Sequence, residues 1–144
     1  MFFGEYEHQK DDKNRIRIPP KFKSADVFKG EYVFAKGFDG VINVYPKEVA
    51  EERTNKYRDA ISEFDEEGQA ALMEYMSSMY NATEDKQGRV AIPETLVLDA
   101  ELGKDLVTVG MIDHLAIMNK AVRDKKREQK SFAASMKILS DRIK

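Results

Sequence analysis

The feature that most constrains this chain is a repeat inside it. Sliding the sequence along itself by 74 residues superposes two stretches without a gap. DDKNRIRIP, Asp11 to Pro19, falls on DKQGRVAIP, Asp85 to Pro93, and the pattern in common is Asp-x-x-x-Arg-apolar-x-Ile-Pro. Further on, Phe22 meets Leu96, Val33 meets Val107, Asp39 meets Asp113, and the alternating run Val41 to Val44 meets Leu115 to Met118. A chain of 144 residues buries roughly two-thirds of its unfolded surface, so one compact domain, or two small fused ones, is expected.

Each copy reads locally as two hairpins. In the first, Phe3 to Glu7 and Arg15 to Ile18 are β-favouring runs around the polar turn Lys10 to Asn14, and Tyr32 to Ala35 and Val41 to Tyr45 flank Gly37 to Gly40. Pro20 to Phe28, and Glu94 to Leu102 in the second copy, suit a short helix or a turn with proline at its entrance. Between the copies, Pro46 to Ile61 and Asp65 to Tyr80 are rich in Glu, Lys, Ala and Met and predict two helices. After the second copy, Phe132, Met136, Leu139 and Ile143 recur at helical spacing behind the charged run Lys120 to Lys130, which predicts a helical tail with one apolar stripe. The stripe suits packing on the protomer or a neighbour better than a membrane surface. The basic run suits a solvated helix face or a second phosphate contact.

Charge is unevenly spread. The net charge is −2, yet between Gln9 and Lys23 the six bases Lys10, Lys13, Arg15, Arg17, Lys21 and Lys23 face only Asp11 and Asp12. An acidic middle, Lys47 to Glu74, masks this cationic start. Cysteine is absent, which removes thiol chemistry and cysteine-bound zinc and fits a reducing cytosol. The start MFFGEYEHQK has no basic region leading into an apolar run, and no stretch approaches a membrane span, so a soluble protein that stays inside the cell is expected.

Chemistry concentrates at the two turns, Lys13 to Arg15 and Gln87 to Arg89. Asn14 and Gly88 precede the arginines, and both residue types tolerate positive φ, so both copies are expected to make the same tight turn. Each arginine then leaves a fixed point, and its planar guanidinium suits a phosphate or a guanine edge. Asp11 and Asp85, four residues earlier, are expected to accept hydrogen bonds from turn amides or to orient the arginine. The competing reading makes these ordinary solvated hairpin charges. Finding the pattern twice at matching positions weighs against it.

Other classes fit less well. No nucleophile elbow, glycine-rich phosphate loop or metal-ligand spacing occurs, so neither an enzyme nor a cofactor or metal site is expected. His8 and His114 are far apart in sequence and read as structural or surface residues. An oligomeric scaffold that does not bind DNA remains as a third class.

These residues resemble the MraZ family, transcriptional regulators of the bacterial division and cell wall gene cluster built from two AbrB-like repeats. The resemblance rests on FFGEYEHQKDDKNRIRIPPKF, on GFDGVINVYP, on DKQGRVAIP and on the acidic helical spacer, and covers roughly Met1 to Lys120. It implies a β-rich α+β fold in which two half-domains interlace into one pseudo-dimeric β-unit with helices outside. The repeats would be residues 1–46 and 77–120, with a spacer at 47–76 and a tail at 121–144. It also implies a ring-shaped homo-oligomer on double-stranded promoter DNA carrying short direct repeats, with no small-molecule substrate and a location at the nucleoid.

In the family the basic turn before the Ile-Pro dipeptide contacts DNA, and Arg15 and Arg89 match it. Lys13 and Lys86 flank them, and Lys10 and Arg17 join the candidates on charge. Asn14 stands where the family pattern usually has glycine. The second turn has Glu84, Asp85 and Glu94 around Lys86 and Arg89, so the first copy is expected to be the stronger contact. The runner-up is an AbrB-like regulator of another kind or an antitoxin, usually with a single repeat.

Overall fold

The computed structural model describes residues 1–23 and 26–143. In chain order the first half carries β1 (Glu5–Gln9), β2 (Arg15–Arg17), a 3-10 turn (Pro20–Phe22), β3 (Glu31–Lys36) and β4 (Ile42–Tyr45). Two helices follow, α1 (Lys47–Ala60) and α2 (Glu66–Ser77). The second half repeats the order with β5 (Tyr80–Thr83), β6 (Arg89–Ala91), α3 (Glu94–Asp99), β7 (Asp105–Gly110) and β8 (Leu115–Asn119), and the chain ends in α4 (Lys120–Gln129) and α5 (Phe132–Ile143). This is a β-rich α+β fold.

The hairpins β3–β4 and β7–β8 form as the sequence suggests. The other two expected hairpins do not. β1 has no ladder with β2; it lies antiparallel to β7, from Glu5 opposite Val109 to Gln9 opposite Asp105, while β2 pairs with β6. β5 likewise pairs with β3 of the first half. The result is one six-stranded antiparallel sheet, ordered β1-β7-β8-β4-β3-β5, and a separate two-stranded ribbon of β2 and β6. The physical reason lies in the edges. β7 and β3 would each offer an unpaired row of amides and carbonyls if β1 and β5 folded back on short local partners, and exchange covers both edges.

The exchange obeys the repeat. The 74-residue shift carries the pair Gln9 and Asp105 onto Thr83 and Glu31, which are also partners. Ile42 with Ile117 becomes Ala116 with Asn43 in the same way, so a pseudo-twofold axis passes between these two adjacent pairs of β4 and β8.

The side chains of β3 alternate between two buried clusters. Tyr32 and Phe34 join Val44, Leu106, Leu115 and the ribbon residues Ile16 and Val90 in the main core. Val33 and Ala35 join Tyr45 and Ala50 under α1. By the two-residue period of a strand, the ribbon and α1 therefore lie on opposite faces of the sheet. The acidic helical segment is kept away from the basic ribbon.

Helix starts are set locally. Pro19, Pro46 and Pro93 occupy the N-cap positions of the 3-10 turn, α1 and α3, and Asp65 caps α2 by accepting from the Gly68 amide at 2.8 Å. Residues 24 and 25, within the stretch expected as a short helix or turn, lie outside the described residues. The single helix expected for the tail is in fact two. Lys130 is extended (φ −151°), and Ser131 Oγ accepts from the Ala134 amide at 3.1 Å, which starts α5 afresh. No helix of the described residues is long and apolar enough to cross a membrane.

Candidate nucleic-acid interface

The two Asp-x-x-x-Arg turns, at the ends of the ribbon, make matching sets of hydrogen bonds. In the first, Asp11 Oδ1 accepts from the amides of Lys13 and Arg15, both at 2.9 Å, and Oδ2 accepts from Arg15 Nε at 2.7 Å. In the second, Asp85 Oδ1 accepts from the amides of Gln87 at 2.8 Å and Arg89 at 2.9 Å, and Oδ2 from Arg89 Nε at 2.9 Å. The Asn14 and Gly88 amides close the turns on the Asp11 and Asp85 carbonyls at 3.1 and 3.0 Å. Asn14 and Gly88 hold φ of 60° and 76°, the left-handed region that each turn requires.

These contacts explain the aspartates. The backbone hydrogen bond from Arg15, together with those from the Lys13 amide and the Arg15 side chain, holds the Asp11 carboxyl at a pKa of about 2. Backbone bonds from Arg89 and Gln87 lower that of Asp85 in the same way. Each carboxylate is thereby fixed in its charged form and each guanidinium is oriented through Nε. The terminal nitrogens of Arg15 and Arg89 make no hydrogen bond among the described residues, so the paired N–H groups that can grip an anion are uncommitted there.

The ribbon brings most of the candidate bases together. Arg15, Arg17 and Arg89 lie on it, and an open hollow of about 760 Å³ beside it is lined by all three with Lys10, Lys104, Tyr6 and His8. Lys13 and Lys86 are exposed on the first and second turns. Lys104 has no motif to mark it. It enters because the exchanged β1 runs beside β7, where the Lys10 amide donates to the Lys104 carbonyl at 3.1 Å.

His8 is half-buried against Thr108, Nε2 to Oγ1 2.6 Å, and burial lowers its pKa. His114 sits far along the chain beside Asp113, with Nδ1 2.7 Å from Oδ1, and against the Tyr45 ring. Among the described residues no group of three or more His, Asp or Glu side chains could hold a metal ion. In the basic tail, Arg123 and Arg127 are drawn back onto Glu5, at 2.7 and 2.6 Å.

Fold and site together define a duplicated, strand-exchanged α+β protein that displays two arginine turns on one ribbon, and known proteins are similar to it in sequence. A family model described as "MraZ protein, putative antitoxin-like" matches residues 76–140. The chain is 37% identical over 122 residues to the transcriptional regulator MraZ of Pediococcus pentosaceus, covering 84% of this chain and 82% of that one. It is 33% identical over 123 residues to the protein of that name from Clostridium acetobutylicum, covering 83% and 82%. Identity to the one from Dictyoglomus turgidum is 30% over 147 residues, covering 99% and 96%. This chain belongs to the MraZ family.

Proposed function

We propose that the protein is a sequence-specific DNA-binding transcriptional regulator of the division and cell wall gene cluster, acting without catalysis. The observation that carries the reading is the pair of matching turns, each with an arginine fixed through Nε whose terminal nitrogens make no hydrogen bond among the described residues. The name transcriptional regulator borne by its relatives supports it. Arg15 and Arg89 grip phosphate or base edges; Lys13, Lys86, Lys10 and Arg17 add phosphate attraction; Asp11, Asn14, Asp85 and Gly88 shape the turns. Residues 1–46 and 77–120 act as the two repeats, joined by 47–76 and followed by the tail at 121–144.

One such contact set binds weakly and loses affinity steeply with salt. A closed ring of protomers on tandem promoter repeats multiplies modest affinities through effective concentration. Occlusion of RNA polymerase is then the simplest output, making the protein a repressor at the nucleoid in the cytoplasm.

The test is fluorescence anisotropy, across a salt series, of wild type and Arg15→Ala on duplex from upstream of the protein's own gene and on scrambled duplex, with sedimentation to size the oligomer. Wild type is expected to prefer its own upstream DNA, and the variant to lose most of that affinity. Failure of both duplexes to bind at low salt would overturn the reading in favour of an oligomeric scaffold.

A further inference from the structure

Strand exchange gives one arginine a neighbour that its own repeat does not contain. Within the ribbon the pseudo-twofold axis runs through the facing pair Ile16 and Val90 and carries Arg15 onto Arg89 and Arg17 onto Ala91. Across the ladder, Arg17 stands opposite Arg89, while Arg15 stands opposite Ala91. Arg17 also reaches onto the second turn, where its Nε donates to the Gln87 carbonyl at 3.3 Å. The second turn therefore has two guanidiniums and the first has one.

The flanks differ in the opposite sense. Lys10 and Lys104 line the hollow beside the ribbon, but their repeat counterparts are Glu84, which is paired with Lys23 at 2.7 Å, and Gly30. The first turn thus has neighbouring lysine point charges without counterparts at the second, and the second turn has the pair of planar forks. Only the forks impose a direction on a phosphate or guanine edge.

We propose that Arg17 acts with Arg89 as one composite contact to DNA phosphate or guanine, and that this inequality makes each protomer lie on DNA in a single direction. The inference rests on the DNA-binding reading above. A reader with true twofold symmetry matches palindromic half-sites and fits equally well either way round. With Ala91 standing where the axis would place a counterpart of Arg17, that equality is lost, and a protomer with unequal ends suits sites repeated head to tail.

The absence of cysteine allows a direct test. Asp12→Cys, at an exposed position of the first turn, is coupled to iron-EDTA in the full-length protein, and radical cleavage is mapped on end-labelled duplex from upstream of its own gene. Cuts are expected on one flank of each protomer footprint, by at least about fivefold, the smallest factor one arginine contact is worth. Adding Arg17→Ala or Ala91→Arg is expected to bring the two flanks close to equal. Ala91 is exposed, so the second variant keeps the fold and adds charge even if the first binds too weakly to cut. Equal flanks in the parent, or one-flank cutting that survives Ala91→Arg, overturns the inference while leaving DNA binding intact. No binding to the duplex at low salt overturns the DNA-binding reading itself and this inference with it.

Discussion

Ile16 and Val90 face each other at the centre of the β2–β6 ribbon, where the two repeats meet as equivalents, and both are almost wholly buried, at 2% and 0% exposure. Each removes its partner's apolar surface from water, so the ribbon is held to the sheet by a contact that neither half supplies alone. Ile16→Ala is expected to lower stability by about 2 to 5 kcal/mol, and Val90→Ala by somewhat less. Because the two share one space, the double variant is expected to fall short of the sum. Urea unfolding of the four proteins in the cycle checks this; strict additivity would refute it.

Acid should spare the first turn for longer than ordinary carboxylates allow. Asp11 has its pKa lowered from 3.8 to about 2 by hydrogen bonds to the turn. A depressed carboxylate pKa contributes stability that is full above the unfolded value and is lost only as pH falls through the folded one. The Asp11 carboxyl is therefore expected to remain largely ionised near pH 3, with Asp85 shifted in the same direction. Carbon-detected NMR titration reads both directly. Asp11→Ala is expected to speed exchange of the Lys13 and Arg15 amides and to weaken DNA binding without itself touching DNA.

The positive-φ positions should tolerate each other's residue and little else. A side chain added at Gly88 meets nothing within 4 Å, so the cost of substitution there is set by φ of 76° alone. Gly88→Asn and Asn14→Gly are each expected to change stability by less than about 1 kcal/mol, and Gly88→Val to cost about 1 to 2 kcal/mol. Thermal unfolding separates these. A valine as benign as asparagine would show that the second turn is not held in this conformation.

Glu5 anchors the start of the tail. Burial pushes its carboxyl up, but hydrogen bonds from Arg123 and Arg127 outweigh this and leave its pKa below 4.5. The tether is thus full above 4.5 and weakens as pH falls through the lowered value. Arg127 is half-exposed, so Glu5→Gln is expected to cost no more than about 1 kcal/mol. Amide exchange in α4 is nevertheless expected to rise. Unchanged protection there would mean that the helix is held by its packing alone.

What the sequence disclosed followed physical locality. α1 and α2 were legible from composition, and β3–β4 and β7–β8 from turn residues between apolar runs, because neighbours in the chain decide those structures. The partners of β1 and β2 were not legible locally. Tyr6 pairs with Thr108 at an edge of the sheet and Ile16 with Val90 across the separate ribbon, in each case with a partner from the other repeat. The resemblance to an interlaced family supplied that expectation where the residues alone suggested simple hairpins.

The same limit hid Lys104 and the meeting of Arg17 with the second turn, since both depend on the exchange. The division of the tail was within reach: Ser131 is a ready N-cap inside an otherwise helical pattern. The repeat itself marked Asp11, Arg15, Asp85 and Arg89, whose mutual hydrogen bonds span only four residues.

Pairing β1 with β7 also sets an order of events at the ribosome. Gln9 emerges early, but Asp105, its partner, follows about a hundred residues later. At ordinary bacterial elongation, about 5 to 20 residues per second, the first strand waits on the order of 5 to 20 s before its ladder can close. For that interval β4 waits with an open edge for β8, even once β5 has covered β3, the condition in which neighbouring chains on one messenger can join in place of the missing half. A duplicated gene that keeps both halves on one polypeptide shortens the search for the right partner, yet leaves its earliest strand among the last to be settled.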